Sequence, residues 1–376
     1  MLIGVPRETV AGETRVAATP ETAKKLTAQG HTILVERGAG LAASATDDAY
    51  TAAGAEITDR AGAFGAELVL KVRSPTADEL PLMKRGANLV GMLNPFDRAG
   101  LEALAAAGLT SFALEAAPRT TRAQSMDVLS SQANIAGYKA VIIAAARYQR
   151  FFPMLMTAAG TVKAARVVVL GVGVAGLQAI ATAKRLGAVI EASDVRPSVK
   201  EQVESLGGKF IDVPYETAEE REAAEGVGGY ARPMPPGWLE RQKVEVARRV
   251  AAADIVIATA LIPGRPAPVL VTEDMVKSMK AGSVIVDLAA GRGPEGIGGN
   301  CPLTETDRTV VKHNVTLVGE TNLAAQVGAD ASALYARNVL DFLKLVLPKD
   351  AAFGVPMEDD IVAACLMTQG GEVKRK

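Results

Sequence analysis

The chain has few of the residues that most often announce a site. Across 376 residues there are two cysteines, two histidines and one tryptophan, and aromatic residues make up 4%. Cys301 and Cys365 are too few for a disulfide framework or a zinc cluster, and they fit a reducing compartment. So few rings argue against a base-stacking nucleic-acid surface. Neither sign of charge is in excess, with 41 Lys and Arg against 42 Asp and Glu and a pI of about 6.3. No global basic field therefore points to nucleic acid or to an anionic membrane. The opening MLIGVPRETV carries no long apolar segment, and no later stretch reaches the ~18 uncharged apolar residues of a membrane span. The expectation is a cytosolic chain with no metal site, no export signal and no transmembrane segment of its own.

The chain does have apolar mass, at 49% hydrophobic, enough for two domain cores. Short apolar runs near 2–5, 32–36, 68–72, 87–91 and 109–113 alternate with helical stretches at Pro20–Gln29, Thr76–Lys84 and Arg98–Ala107, the pattern of an α/β fold with a parallel sheet. A helix is expected over about 128–150, followed by a connector, Pro153–Lys163. Strands near 209–213, 254–259, 283–288 and 315–319 continue the pattern, residues 323–346 read as helix, and the tail reads as irregular. Because the last helix follows the final strand of the second sheet, it is expected to cross back onto the first half. One insertion, Pro214–Trp238, is rich in Glu, Gly and Pro. Loops of that length are functional lids or disordered.

Between the halves lies the most informative segment, Arg166-VVVLGVGVAGLQAIATAKRLGAVIEASDVR-Arg196. An apolar run without polar alternation suits a parallel strand buried on both faces. Gly171-Val-Gly173-Val-Ala-Gly176 follows at once. Gly171 permits the tight turn, Gly173 lets a pyrophosphate approach bare backbone, and Gly176 lets the new helix pack on the strand with its N-terminal N–H groups aimed at phosphates. Leu177, Ile180, Ala181 and Leu186 give the helix an apolar face, and Gly187 ends it. Asp194 closes the second strand, where a carboxylate accepts from both ribose hydroxyls and repels a 2′-phosphate. NAD(H) is expected over NADP(H), a preference that Arg196 tempers. A second glycine pair, Gly38 and Gly40, precedes a capping signal and an acid pair rather than an apolar helix, and reads as a plain turn.

Polar groups also gather at Arg119, Arg122, Gln124, Asp127, Ser130, Ser131 and Gln132. Asp127 or Ser130 could simply cap the following helix, and the arginines could sit on a solvated rim. The reach of a dinucleotide favours a functional role, because its nicotinamide must project past the strand ends toward amide and hydroxyl groups.

Several blocks, GVGVAGLQAIATAKRLGA, RAQSMDVLSSQANIAGY, MTAAGTV, KEQVESLGGKF, TALIPGRPAPVL and GGNCPL, together resemble the NAD(H)-binding domain I, or alpha subunit, of proton-translocating nicotinamide nucleotide transhydrogenase. The start, Pro6-Arg7-Glu8 and Gly12-Glu-Thr-Arg15-Val-Ala, also resembles alanine dehydrogenase. The resemblance implies two Rossmann-like doubly wound domains separated by a cleft, residues 1–135 with 320–376 and residues 136–319, and a homodimer. It implies that Arg119, Gln124, Asp127 and Ser130 surround the nicotinamide, with Gln124 positioning the ring. It puts Val174, Asp194, Val195 and Arg196 at the adenosine and pyrophosphate and Leu261 near the cofactor, with Arg122, Gln132 and Gln242 in the wider cofactor-binding set. Gly229 and Tyr230 would lie on a mobile loop within 214–238 that closes over the cofactor. NADP(H) is expected on a partner domain, and a membrane proton channel on another subunit, with this chain at the cytoplasmic face of a bacterial membrane.

The two relatives differ in chemistry. Alanine dehydrogenase must hold a carboxylate and shuttle a proton, and so resembles a site with Arg, Lys, His and Asp. Arg15 and Lys71 are present here, but the His position falls in Leu93-Asn94-Pro95 and the Asp position in Ala-Ala-Gly291-Arg292. His31 and His313 lie outside every cofactor motif. Hydride transfer between two nicotinamides needs close, ordered rings and excluded water, but no proton carrier. The expected activity is thus transhydrogenation; an amino-acid dehydrogenase and an NAD-sensing protein without chemistry are the alternatives. Arg15 and Lys71 fit two roles equally, folding or orienting the cleft. The stretch from Gly291 to Gly298 is longer than the family pattern before GGN.

Overall fold

The computed structural model describes residues 1–225, 234–348 and 352–375. The chain forms two compact α/β units, Met1–Gln132 with Ala324–Lys376, and Ala133–Leu323, each built on a Rossmann-like, mainly parallel sheet.

In the first unit the strand order is Glu372–Val373, Leu366–Gln369, Thr110–Ala113, Asn88–Met92, Leu68–Arg73, Leu2–Val5, Thr32–Glu36, Glu56–Thr58. The strands from the N-terminal stretch pair in parallel. Alternate residues feed two cores: Leu68 and Leu70 join Ile3, Val90 and Phe112, whereas Val69 joins Leu89 and Leu101. Coverage on both faces explains why these strands read as unbroken apolar runs. The helix Gly328–Val346 covers the first core through Tyr335, Val339 and Phe342.

Two expectations fail here. The tail is not irregular: Asp360–Cys365 is helical, and Leu366–Gln369 pairs antiparallel with Thr110–Ala113. That pairing is non-local, fixed by a 2.6 Å contact between the hydroxyls of Ser111 and Thr368, so no local pattern reveals it. The helix expected at Thr76–Lys84 shrinks to a 3₁₀ turn, Leu80–Leu82. Pro81 lacks a donor. Glu79 turns inward, fully buried, to accept from Lys71 Nζ at 2.8 Å and Thr76 N at 3.0 Å.

In the second unit the order is Lys209–Phe210, Val189–Ser193, Arg166–Leu170, Ile255–Ala258, Val284–Asp287, Val315–Val318, Thr309–Lys312, all parallel except the last pair. Val167 and Val169 enter one core, Val168 and Leu170 the other. The connector after the helix Val128–Arg147 holds an antiparallel hairpin, Leu155–Thr157 with Gly160–Val162. The described residues of the insertion include a helix at Ala218–Glu225 and the start of another at Pro236–Ala252. Tyr215 stacks on the buried Trp238 with ring centroids 6.0 Å apart.

Candidate functional site

The second unit's sheet reverses direction of build between Arg166–Leu170 and Ile255–Ala258, the place where open α/β sheets bind ligands beyond the carboxyl ends of their strands. Gly171 leaves the first of these strands at φ +89°, where a side chain would be strained. Thr259, leaving the second, donates its hydroxyl to Gly171 O at 2.8 Å. The helix Val174–Arg185 starts from Gly173, which gives it no side-chain cap. A Cβ built on Gly173 would meet nothing within 4 Å, whereas one on Gly176 would lie 2.0 Å from Gly171 O. Gly176 is thus required by packing, while the space over Gly173 and the uncapped N–H groups suit a pyrophosphate. The helix buries Gly176, Ala179, Ile180 and Ala183. That is one step around from the expected face, because Gly176 must sit on the strand; Leu177 and Leu186 flank it, half-buried. Gly187 follows the helix end at φ +85°.

Asp194 accepts from Val172 N at 2.7 Å and from Arg196 through its backbone N, Nε and Nη2, each at 2.9 Å. Gln242 Nε2 donates to Ser193 Oγ at 3.2 Å, and Val195 packs beside Tyr215 against Val213 and Trp238. Leu261 is exposed. Its neighbour Ala260 is pinned by the buried Asn300, which accepts from Ala260 N at 3.0 Å and donates to Ala260 O at 2.9 Å and Pro268 O at 2.8 Å. Asn300 lies in GGNCPL, but nothing in its spacing marks it as the residue that fixes this loop. Asp287 accepts from the N–H groups of Ala289, Asn300 and Cys301 and from Thr304 Oγ1. Burial pushes its carboxyl up against these donors. The long stretch between Gly291 and Gly298 folds back on itself through Gly291 N to Gly298 O at 2.6 Å. Gly229 and Tyr230 lie outside the described residues.

In the first unit Thr121–Met126 is a 3₁₀ turn that buries Ala123 and Met126 and leaves Arg119 and Gln124 exposed. Asp127 caps the following helix, accepting from Ser130 N at 2.8 Å and Ser130 Oγ at 2.6 Å. Asn338 holds the turn from behind through Ser125 O and Ser131 Oγ, both at 2.7 Å. Arg122 grips Asp359 with two donors and also contacts Asp360, which holds the Asp359 carboxyl down at about 2. Gln132 accepts from Arg15 Nη1 at 2.8 Å and donates to Ala331 O at 3.1 Å.

Arg15 and Lys71 are buried among partners from their own unit. Arg15 reaches both Glu13 oxygens at 2.7 Å, and Lys71 lies 2.8 Å from Glu79 and 3.3 Å from Glu8. Asn94 stands at φ +54° with its N–H on Glu115 at 2.7 Å. His313 pairs with Glu273 on the surface. Among the described residues no group of three His, Cys, Asp or Glu could hold a metal, and no helix is long and apolar enough to cross a membrane.

Residues 4–136 match the family model described as alanine dehydrogenase/PNT, N-terminal domain, and residues 140–376 match its C-terminal counterpart. The chain is 51% identical over 382 residues to the first part of the NAD(P) transhydrogenase alpha subunit of Rhodospirillum rubrum, covering 99% of this chain and 97% of the relative. It is 31% identical to alanine dehydrogenase of Bacillus subtilis over 380 residues, 99% of this chain and 92% of that one. The crystal structure of a transhydrogenase from Sinorhizobium meliloti superposes with a TM-score of 0.88 at 46% identity, covering 99% and 100% of the two chains.

Proposed function

The chain belongs to the alanine dehydrogenase/PNT family, and from that premise we propose that it is the NAD(H)-binding alpha subunit of an NAD(P) transhydrogenase. It exchanges hydride with NADP(H) held on a partner domain. When bound, NAD(H) supplies or receives that hydride. The backbone of Gly171 and Gly173 and the first N–H groups of the helix from Val174 would hold the pyrophosphate, Gly176 seats that helix on its strand, and Asp194 would read the adenosine ribose. Arg119, Gln124, Asp127 and Ser130 meet the nicotinamide end, with Gln124 orienting the ring and Tyr230 helping to exclude water.

What favours transhydrogenation over amino-acid oxidation is that the positions where an amino-acid dehydrogenase would keep its His and Asp carry Asn94 and Gly291-Arg292 here. Asn94 has no titratable group, Asp287 is buried under four donors, and Arg15 and Lys71 are neutralised by Glu13, Glu8 and Glu79. Oxidation of an amine needs a base and an acid within reach of substrate; transfer from ring to ring needs orientation alone. The working assembly we propose is a homodimer of this chain. It sits with its NADP(H) domain and proton-channel subunits at the cytoplasmic face of a bacterial inner membrane.

Mixing the purified chain with a transhydrogenase NADP(H)-binding domain should give hydride transfer from NADH to NADP⁺ analogues. The chain alone should oxidise neither alanine nor any other amino acid. Robust alanine oxidation without a partner would replace this reading with the dehydrogenase one.

A further inference from the structure

An ionised carboxylate offers about four lone-pair positions, and at Asp194 all four are taken. Oδ1 accepts the backbone N–H and Nε of Arg196, and Oδ2 accepts Val172 N–H and Nη2 of Arg196. The two backbone donors shape the loop. The other two come from one guanidinium in the two-pronged geometry in which arginine binds carboxylates best. The same Nη2 also donates to Val172 O at 3.2 Å, so the guanidinium ties the acid to the residue after Gly171. Exposure is 22% for the Arg196 side chain and 7% for Asp194; solvent at this corner meets the cation more than the acid.

We propose that Arg196 is an internal occupant of the ribose subsite. Its guanidinium holds the two carboxylate positions that a vicinal diol would take, and binding of an adenosine ribose exchanges two N–H donors for two hydroxyls. The inference rests on reading the Gly171 turn as an NAD(H) site. Hydroxyls are weaker donors to a carboxylate than a guanidinium, so this exchange subtracts from affinity and leaves a ready partner for Asp194 when the dinucleotide departs. A ribose carrying a 2′-phosphate keeps only its 3′-hydroxyl as a donor to Asp194, and its phosphate faces the uncovered acid.

The test is calorimetric or fluorescence titration of wild type, Arg196→Met and Arg196→Lys with NADH, AMP and 2′,3′-dideoxy-AMP. In Arg196→Met the Kd for NADH and AMP should fall about tenfold, ~1.4 kcal/mol, while that for the dideoxy nucleotide stays put. Arg196→Lys, which keeps the charge but not the fork, should gain about two- to threefold, and it carries the test should the Met variant fail to fold. Unchanged or weaker AMP binding in both variants would overturn the proposal, as would an equal gain for the dideoxy nucleotide. Failure of the wild type to bind NADH at all would sink the NAD(H) reading, and this exchange with it.

Discussion

One methyl group added at Gly176 or at Gly173 perturbs the same turn in opposite ways. At Gly176 the new carbon would lie 2.0 Å from the Gly171 carbonyl oxygen and 3.3 Å from Thr259 Oγ1, so the helix must lift from the strand by more than an ångström. Overpacking of this kind costs roughly 1–3 kcal/mol. The intrinsic helix gain of alanine over glycine returns at most about 1 kcal/mol, so the clash wins. At ~2–4 °C per kcal/mol for a unit of this size, Gly176→Ala should lower the melting temperature by several degrees. At Gly173 the methyl meets nothing within 4 Å, and φ −82°, ψ −164° suits any residue. Only the cap preference for glycine is lost, so melting should move little. NADH binding should instead suffer, because the methyl stands where a pyrophosphate would meet the backbone. Losing one charge-assisted hydrogen bond, ~1.5–3 kcal/mol, raises Kd by about ten- to a hundredfold. Scanning calorimetry and fluorescence titration of the two variants read both effects. Wild-type NADH affinity in Gly173→Ala, or wild-type melting in Gly176→Ala, would refute the division of labour argued for this turn.

Gln124→Asn should depress hydride transfer in the reconstituted complex far more than NADH affinity, since ring misplacement by about an ångström can cost on the order of 100-fold; equal losses in both would reduce the loop to a structural element. Asp194→Ala should narrow the gap between NADH and NADPH affinity, read by competitive titration, and an unchanged ratio would remove the acid from cofactor choice. Burial pushes the Glu115 carboxyl up to about 6, against the N–H groups of Glu115 itself, Asn94 and Leu93. A raised carboxyl binds its proton more tightly when folded, so its contribution to stability falls as pH rises through 4.5–6. Relative to Glu115→Gln, the wild type should lose up to about 2 kcal/mol across that window in denaturant titrations; parallel curves would contradict the shift.

Much of both sheets is legible because parallel strands covered on both faces betray themselves as apolar runs: Leu2–Val5, Thr32–Glu36, Leu68–Arg73, Arg166–Leu170 and Ile255–Ala258 all lie at or within a residue of the stretches read from sequence. What escapes is set by partners far along the chain. Leu366–Gln369 forms a strand on the edge that Thr110–Ala113 offers, and Glu79 turns out of the expected helix to meet the buried Lys71. Within the site, the Gly171 turn and the Asp127 cap follow from local rules. The four-donor closure of Asp194 does not, since spacing names the acid without saying what it holds when alone. Asn300 and Asn338 are silent in the sequence for the same reason: a buried amide shows its value only through the carbonyls it reaches.

The split of the first unit into Met1–Gln132 and Ala324–Lys376 imposes an order on biosynthesis. The second unit is contiguous and can fold as it leaves the ribosome, but the first must wait for residues 133–323 to be made. At ~5–20 residues per second this takes about 10–40 s. Throughout that interval the edge of Thr110–Ala113 lacks Leu366–Gln369, and the face that Tyr335 and Phe342 later cover is open. A nascent chain with an unpaired, apolar strand edge is a template for wrong pairing, so slow elongation at high expression should draw chaperones to the N-terminal segment long before the dinucleotide turn is at risk.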